Sequence, residues 1–468
     1  VKYVSTRGRA PALSFDDVLL TGLAPDGGLY VPEAWPRLSK AEIQALRGMS
    51  YDALAARVCR PFLSGGATEA AFADLARDAF SRFDHPAVAP LRQIGPGLWL
   101  LELFHGPTLS FKDYALQLVG RLFDTVLAER GRRVTVIGAT SGDTGSAAIE
   151  ALKDRERIEA FILHPKGRVS EVQRRQMTTV VAKNVHNVAI EGTFDDCQDL
   201  VKAMFNDAQF RARADLTAVN SINWARIMVQ AVYYFAAAVA LGAPQRPVSF
   251  AVPTGNFGNV FAGWVARRMG LPVTGFVVAS NRNDILTRFF SEGEMRLQPV
   301  QSTLSPSMDI QISSNFERLL FELYGRRGEV LARAMDRFRA RGRVRFGTER
   351  WRRLHKLFAG HALDDAETVA AIRHFHETTG ELLDPHTAIG LAAGITRHDV
   401  RKAPLIAIAT AHPAKFPDAV EKATGIRPRL PARLDDLYAR EERLATLPNE
   451  LGCVQDFIVS RLSERAAA

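Results

Sequence analysis

The strongest constraint on the fold is a repeated change of hydrophobic period. From about Leu98 onward, short runs of Val, Ile, Leu and Ala at 98–103, 134–138, 159–163, 186–190, 247–252, 273–279 and 404–409 alternate with helix-length amphipathic segments. Such alternation predicts an α/β architecture of parallel strands joined through covering helices. The runs are almost continuously apolar, as strands buried on both faces are. At 468 residues the chain has room for two such sheets. The N-terminal part reads differently, with a turn-rich opening, Ala24-Pro25-Asp26-Gly27-Gly28-Leu29-Tyr30-Val31-Pro32, before amphipathic helical stretches near 39–59 and 67–83. Between about 315 and 380 the strand signal fades and an Arg-rich helical layer is expected. The tail reads as two helices, Pro431–Ala445, with Pro431 at the first helical position, and Gln455–Ala468.

The formal net charge is +9, which raises the question of a polyanionic partner. Its location removes that inference. Between Arg326 and Arg353 eleven Arg stand against Glu329, Asp336 and Glu349, so one segment produces most of the excess. The apolar spacing of Val330, Leu331, Ala334, Met335 and Phe338 makes that segment an amphipathic helix with a solvated basic face, and no nucleic-acid partner is expected. Cys59, Cys197 and Cys453 are far apart, with no CxxC and no His at ligand spacing; buried free thiols are expected, and no metal. Val1-Lys2-Tyr3 opens no charged-then-apolar leader, and the longest apolar run, Val232–Leu241, is about half the ~20 residues that span a bilayer. The expectation is a cytoplasmic protein without a membrane partner.

In α/β sheets ligands bind beyond the carboxyl ends of strands, where freed N–H groups and helix N-termini converge. Four turns of this kind carry chemistry. Gly138-Ala139-Thr140-Ser141-Gly142-Asp143-Thr144-Gly145 presents hydroxyls and backbone donors to an anion, a carboxylate or phosphate. Pro253-Thr254-Gly255-Asn256-Phe257-Gly258-Asn259 is a second, phosphate-sized turn that is neither GxGxxG nor a P-loop. Phe104-His105-Gly106-Pro107-Thr108-Leu109-Ser110-Phe111-Lys112-Asp113 places Lys112 at a helix start, with Ser110 as a candidate cap. A helix N-terminus opposes a cation there and favours the nucleophilic amine. The fourth turn, Thr410-Ala411-His412-Pro413-Ala414-Lys415-Phe416, offers the Thr410 hydroxyl; His412 and Lys415 read equally as ligands, caps or solvated groups.

A helix-terminal lysine with two anion turns on parallel sheets points to pyridoxal phosphate chemistry. The runs Ser110-Phe111-Lys112-Asp113, Ser141-Gly142-Asp143-Thr144-Gly145 and Thr254-Gly255-Asn256-Phe257-Gly258-Asn259 resemble the fold-type II pyridoxal-phosphate enzymes. Within them the chain is similar to the long-form threonine synthases, through Tyr3-Val4-Ser5-Thr6-Arg7-Gly8, Asp26–Pro32, Phe104–Thr108, Ser305–Ile310, Ser313–Arg318 and Thr410–Phe416. The resemblance covers nearly the whole chain. It implies a fold of two parallel-sheet subdomains, like that of the tryptophan synthase β chain, with a mostly helical N-terminal domain at 1–92. A catalytic core would follow at 93–430, with a smaller subdomain at about 130–220 and a helical insertion at about 315–380. A C-terminal helical segment, 431–468, would end the chain.

The resemblance also implies the cofactor pyridoxal 5'-phosphate, carried as a Schiff base on Lys112, which would serve as the catalytic proton shuttle. Gly255, Asn256, Phe257, Gly258 and Asn259 would hold the cofactor phosphate, Thr410 would face the pyridine nitrogen, and Asp143 would lie beside the 3'-oxygen. Thr140, Ser141 and Thr144 would bind the substrate carboxylate, while Ser307, Ser313, Ser314, Asn315 and Arg318 are candidates for its phosphate; Asn283 and Asp284 are weaker ones. The implied activity is that of a carbon–oxygen lyase of threonine biosynthesis, turning O-phospho-L-homoserine and water into L-threonine and phosphate by γ-elimination and β-addition, in a monomer or homodimer. A phospho-lyase or a threonine or serine dehydratase giving a keto acid is the sibling reading, and a non-catalytic phosphometabolite-binding protein a distant one.

Overall fold

A computed structural model describes residues 1–63, 65–217 and 221–467. The chain divides into two units, one of Val1–Ala115 with Ser221–Pro428 and one of Leu116–Asn220 with Arg429–Ala468. In the first, a six-stranded sheet runs in the order Phe358–Ala362, Val273–Ser280, Val248–Pro253, Leu405–Ala409, Leu98–Glu102, Leu91–Gly95. All neighbours are parallel except the last pair, a hairpin. The helix Pro385–Arg397 lies on the middle strands at unusually short range. A Cβ on Gly390 would sit 2.9 Å from Pro253, and one on Gly394 2.7 Å from the Ala251 Cβ, so glycine is what permits this approach. The core beneath it joins Leu100, Ala251, Val277, Ile389, Leu391 and Leu405.

The second unit is a five-stranded, wholly parallel sheet in the order Ala445–Pro448, Val185–Glu191, Ile158–Pro165, Val134–Ala139, Leu216–Thr217. Its core gathers Phe161, Leu163, Val188, Ile190, Leu200 and Met204 with Val454 and Ile458 of the helix Leu451–Ala467. Among the described residues no helix is long and apolar enough to cross a membrane. Cys59 and Cys197 are buried free thiols, whereas Cys453, also expected inside, is exposed.

All seven apolar runs are strands, and helices occupy Lys40–Gln44, Tyr51–Cys59 and Ala67–Phe80 in the N-terminal region. Two expectations about the elements fail. The Arg-rich layer contains helices Phe316–Leu323, Gly328–Arg341, Thr348–His355 and Asp365–Thr379, but Phe358–Ala362 is an edge strand of the large sheet. Its short Phe-Ala-Gly-His-Ala run has little β-branched character; sheet pairing and the stacking of Phe358 on Phe276 and Phe290 at 5.4 and 5.3 Å hold it extended. Pro431–Ala445 is not a helix beyond the single 3-10 turn Ala432–Leu434. Tertiary bonds take that backbone instead: the Arg443 N–H donates to Thr178 O at 2.5 Å, and the Glu442 carboxylate accepts from the Thr178 hydroxyl at 2.7 Å and pairs with Arg174 at 3.1 Å. The last helix begins at Leu451, earlier than expected, and residue 468 lies outside the described residues.

Phe358 is 1% exposed and its ring also lies 6.3 Å from that of Phe257, in the second of the anion turns. Phe358→Ala is therefore expected to cost about 3–5 kcal/mol in chemical denaturation. A loss under 1 kcal/mol would contradict this packing.

Candidate active site

Lys112 is buried, at 8% exposure, as the first residue of the helix Lys112–Glu129. The loop before it is fixed from both sides. Phe111 N–H donates to Thr410 O at 2.9 Å and His412 N–H to Leu109 O at 3.0 Å, an antiparallel bridge that ties the lysine loop to the end of the strand Leu405–Ala409. Leu109 takes a left-handed φ of 63°, a conformation that such a two-sided bridge can hold. Asp113 closes the loop, accepting from the Thr108 N–H at 2.8 Å and hydroxyl at 2.7 Å. Lys415, fully buried, donates to Thr108 O at 2.7 Å, and His412 caps the turn Pro413–Lys415 through its Nδ1. Ser110 does not cap the helix: its Oγ is buried without a hydrogen-bond partner among the described residues.

The turn after the strand Val248–Pro253 runs into the helix Gly258–Arg268, whose first residues have no side-chain cap. The first N–H bonded back along the chain there is that of Phe261, to Phe257 O at 2.9 Å. The N–H groups of residues 255–260 just before it have no acceptor among the described residues and form an open donor set at the positive end of the helix. Asn259 turns its side-chain carbonyl to the Tyr233 and Tyr234 hydroxyls at 2.7 and 2.8 Å, leaving its Nδ2 buried and unpartnered among the described residues. A Cβ on Gly255 would lie 2.6 Å from Ser307 O and 3.0 Å from Ile310 Cδ1, so the turn is a cradle only glycine leaves open.

Ser313, Ser314 and Asn315 brace this turn, and Arg318 braces Asn315. The Ser313 hydroxyl donates to Gly255 O at 2.7 Å, the Ser314 hydroxyl to Asn256 Oδ1 at 3.1 Å, and the Asn315 N–H to Asn256 O at 3.1 Å. Arg318, fully buried, donates to Tyr30 O at 3.1 Å, Ile222 O at 2.6 Å and Asn315 Oδ1, and burial pushes its guanidinium down to about 9. Ser307 sits half-buried in the turn Pro306–Met308. Asn281 and Asn283 donate to Asp309 at 2.8 and 3.0 Å and so anchor the loop that carries Ser307; Asp284 pairs with Arg288 at 2.7 Å.

The sequence reading missed Arg226. It lies in the helix Trp224–Ala240, 4% exposed, with Nε and Nη1 unpartnered among the described residues; burial pushes it down to about 10 and the nearby Tyr233 hydroxyl only partly opposes this. One turn on, the Oε1 of buried Gln230 is unpartnered too. Nothing in Asn223-Trp224-Ala225-Arg226 marks this arginine among the many in the chain; burial without an acceptor is what singles it out.

In the second unit, Thr140 organises the glycine- and hydroxyl-rich turn at 138–145, its Oγ1 accepting from Gly142 N–H at 3.0 Å and Gly145 N–H at 2.8 Å. Ser141 is exposed and Thr144 half-buried at the start of the helix Asp143–Leu152. The Asp143 carboxylate accepts from Gln173 Nε2 at 2.7 Å.

A buried lysine and an uncapped, glycine-lined helix start suit a pyridoxal-phosphate enzyme, and the chain is of that class: residues 84–344 match the model of the pyridoxal-phosphate-dependent enzymes. The flanking regions narrow it, residues 2–80 matching the threonine synthase N terminus and 387–458 the threonine synthase C-terminal model. A threonine synthase of Pseudomonas aeruginosa is 56% identical over 98% of each chain. The pyridoxal-phosphate-bound threonine synthase of Brucella melitensis aligns at TM-score 0.97 and 52% identity, over 98% of this chain and 99% of that one. The yeast enzyme aligns at 0.93 and 38%, over 99% of each. The chain belongs to the threonine synthase family, and its cofactor is pyridoxal phosphate.

Gly255→Ala is expected to weaken cofactor binding about tenfold or more, read by fluorescence titration of the apoprotein, and to lower the melting temperature, because the added Cβ would meet Ser307 O at 2.6 Å and that backbone must shift. Unaltered affinity would contradict the cradle.

Proposed function

We propose that the chain converts O-phospho-L-homoserine and water into L-threonine and phosphate, with Lys112 moving the protons and Arg226 receiving the substrate phosphate. The observation that carries the phosphate assignment is the buried Arg226 guanidinium, whose Nε and Nη1 have no partner among the described residues. A buried cation with no partner is costly, and an entering dianion relieves that cost through paired, charge-assisted bonds. The cofactor's own phosphate has a different receptor, the neutral N–H groups of Gly255, Asn256, Phe257, Gly258 and Asn259 at the helix start.

When bound, pyridoxal phosphate supplies an electron sink conjugated to the substrate α-carbon. Lys112, close to the Thr410 end of the strand, takes the α-proton and returns protons along the substrate carbon chain. Expulsion of phosphate builds charge on the leaving oxygen, and Arg226 stabilises it without reorganising. The Thr410 hydroxyl would face the ring nitrogen of the bound cofactor, and a hydroxyl there, in place of a carboxylate, would leave that nitrogen largely unprotonated and favour chemistry at the β and γ carbons. The Ser141 and Thr144 hydroxyls, with N–H groups oriented by Thr140, would bind the substrate carboxylate, and Asp143 would serve the cofactor's 3'-oxygen. Ser313, Ser314, Asn315 and Arg318 act behind the cofactor turn and on the Ser221–Ile222 segment leading to Arg226, and Ser307 lines the cradle.

Arg226→Met tests this reading. The variant is expected to lower kcat/KM for O-phosphohomoserine about 100-fold or more in a phosphate-release assay. It should also be about 1–4 kcal/mol more stable than the parent when free of ligand, because an unpaired buried charge is removed. Inorganic phosphate should raise the melting temperature of the parent and not of the variant. Parental kcat/KM in the variant would overturn the assignment.

A further inference from the structure

We propose that Thr387 is a positioning residue that fixes Thr410 at the cofactor ring, as the middle of a relay from Asp384 through Thr387 to the Thr410 peptide. The inference rests on the reading above that Thr410 faces the ring nitrogen. The strand Leu405–Ala409 ends one residue before Thr410, and the Thr410 N–H finds no strand acceptor; it donates to the Thr387 Oγ1 at 3.1 Å. An N–H is always the donor, so the Thr387 oxygen is the acceptor in that bond, and its own hydrogen turns to the Asp384 carboxylate. Asp384, fully buried, caps the helix Pro385–Arg397, accepting from the His386 N–H at 2.9 Å and the Thr387 N–H at 3.3 Å. The His386 Nδ1 lies 2.8 Å from the same carboxylate, and its Nε2 is buried without a partner among the described residues. The ring of His386 packs against Phe416 at 4.7 Å between centroids.

The other side of the Thr410 peptide is fixed as well, because its carbonyl accepts from Phe111 N–H at 2.9 Å, one residue before Lys112. With both polar groups of its backbone held, Thr410 has a set backbone orientation, and its hydroxyl is confined to the few staggered positions that backbone allows. Capping of one helix is thereby coupled to the aim of a hydroxyl on another element. A cap alone needs Asp384 but has no use for a hydroxyl at 387 that accepts from position 410.

The test compares Thr387→Val, Thr387→Ser and Thr410→Val in the substrate-free holoenzyme, reading the cofactor absorption maximum and the cofactor Kd. Thr387→Val keeps the side-chain shape and the Asp384 bonds to backbone, so the fold is retained; should it not fold, Thr387→Ala removes the same oxygen. The expected result is a displaced absorption band and a Kd weakened about tenfold in Thr387→Val, the loss of one buried acceptor. Thr387→Ser should restore both, and Thr410→Val, which keeps the peptide but not the hydroxyl, should displace the band in its own right. An unchanged band and Kd in Thr387→Val, with Thr410→Val displaced, would overturn the relay and leave the ring-nitrogen reading intact. An unchanged band in Thr410→Val would overturn that reading, and this role for Thr387 with it.

Discussion

The site depends on one short antiparallel bridge, between residues 109–111 and 410–412. It brings the end of a parallel strand and the start of the lysine helix into one backbone unit, although some 300 residues separate them in the chain. A solvated lysine is a flexible cation; a lysine whose preceding peptide is bonded to a sheet and whose loop is closed by Asp113 and Lys415 has few positions open to it. Preorganisation of this kind lets an amine act on a bound substrate without first being ordered.

The same economy explains why family-like runs are scattered from the first residues onward. Arg7 pairs with Glu317 at 3.1 Å, both nearly buried, and Thr6 donates to the same carboxylate at 2.7 Å. The neighbouring Arg318 and Asn315 hold the carbonyls of Ile222 and Ser221, ahead of the Arg226 helix. Trp224 donates to the Tyr3 hydroxyl at 3.1 Å, and Tyr3 to Phe62 O at 2.6 Å. The Tyr3–Gly8 and Ser313–Arg318 runs therefore act behind the site, where truncating one member of a buried charged set leaves the rest uncompensated.

The strands and the anion turns were legible because they obey local rules: apolar runs of strand length, and glycine and hydroxyl residues where a strand meets a helix. Phe358–Ala362 escaped because its extension is imposed by sheet pairing and ring stacking, and Pro431–Ala445 because the end of the helix Glu171–Thr178 bonds to it, the Thr178 carbonyl accepting from the Arg443 N–H and the Thr178 hydroxyl donating to the Glu442 carboxylate. The places of Lys112 at a helix start, of residues 255–259 in the turn before a helix and of Thr410 at a strand end could be read from the sequence. The roles of Ser313, Ser314, Asn315 and Arg318 could not, since a polar run before a helix looks alike whether it meets a ligand or braces a loop. Arg226 was invisible for the opposite reason: it sits within an apolar helix, and only its burial without an acceptor distinguishes it from the chain's other arginines.

The central claim is that this bridged, buried lysine carries the cofactor. Borohydride reduction of the holoenzyme followed by peptide mass mapping tests it most directly. The reduced cofactor is predicted on the peptide containing Lys112 and on no other; its appearance on Lys415, or on no lysine, would contradict the account.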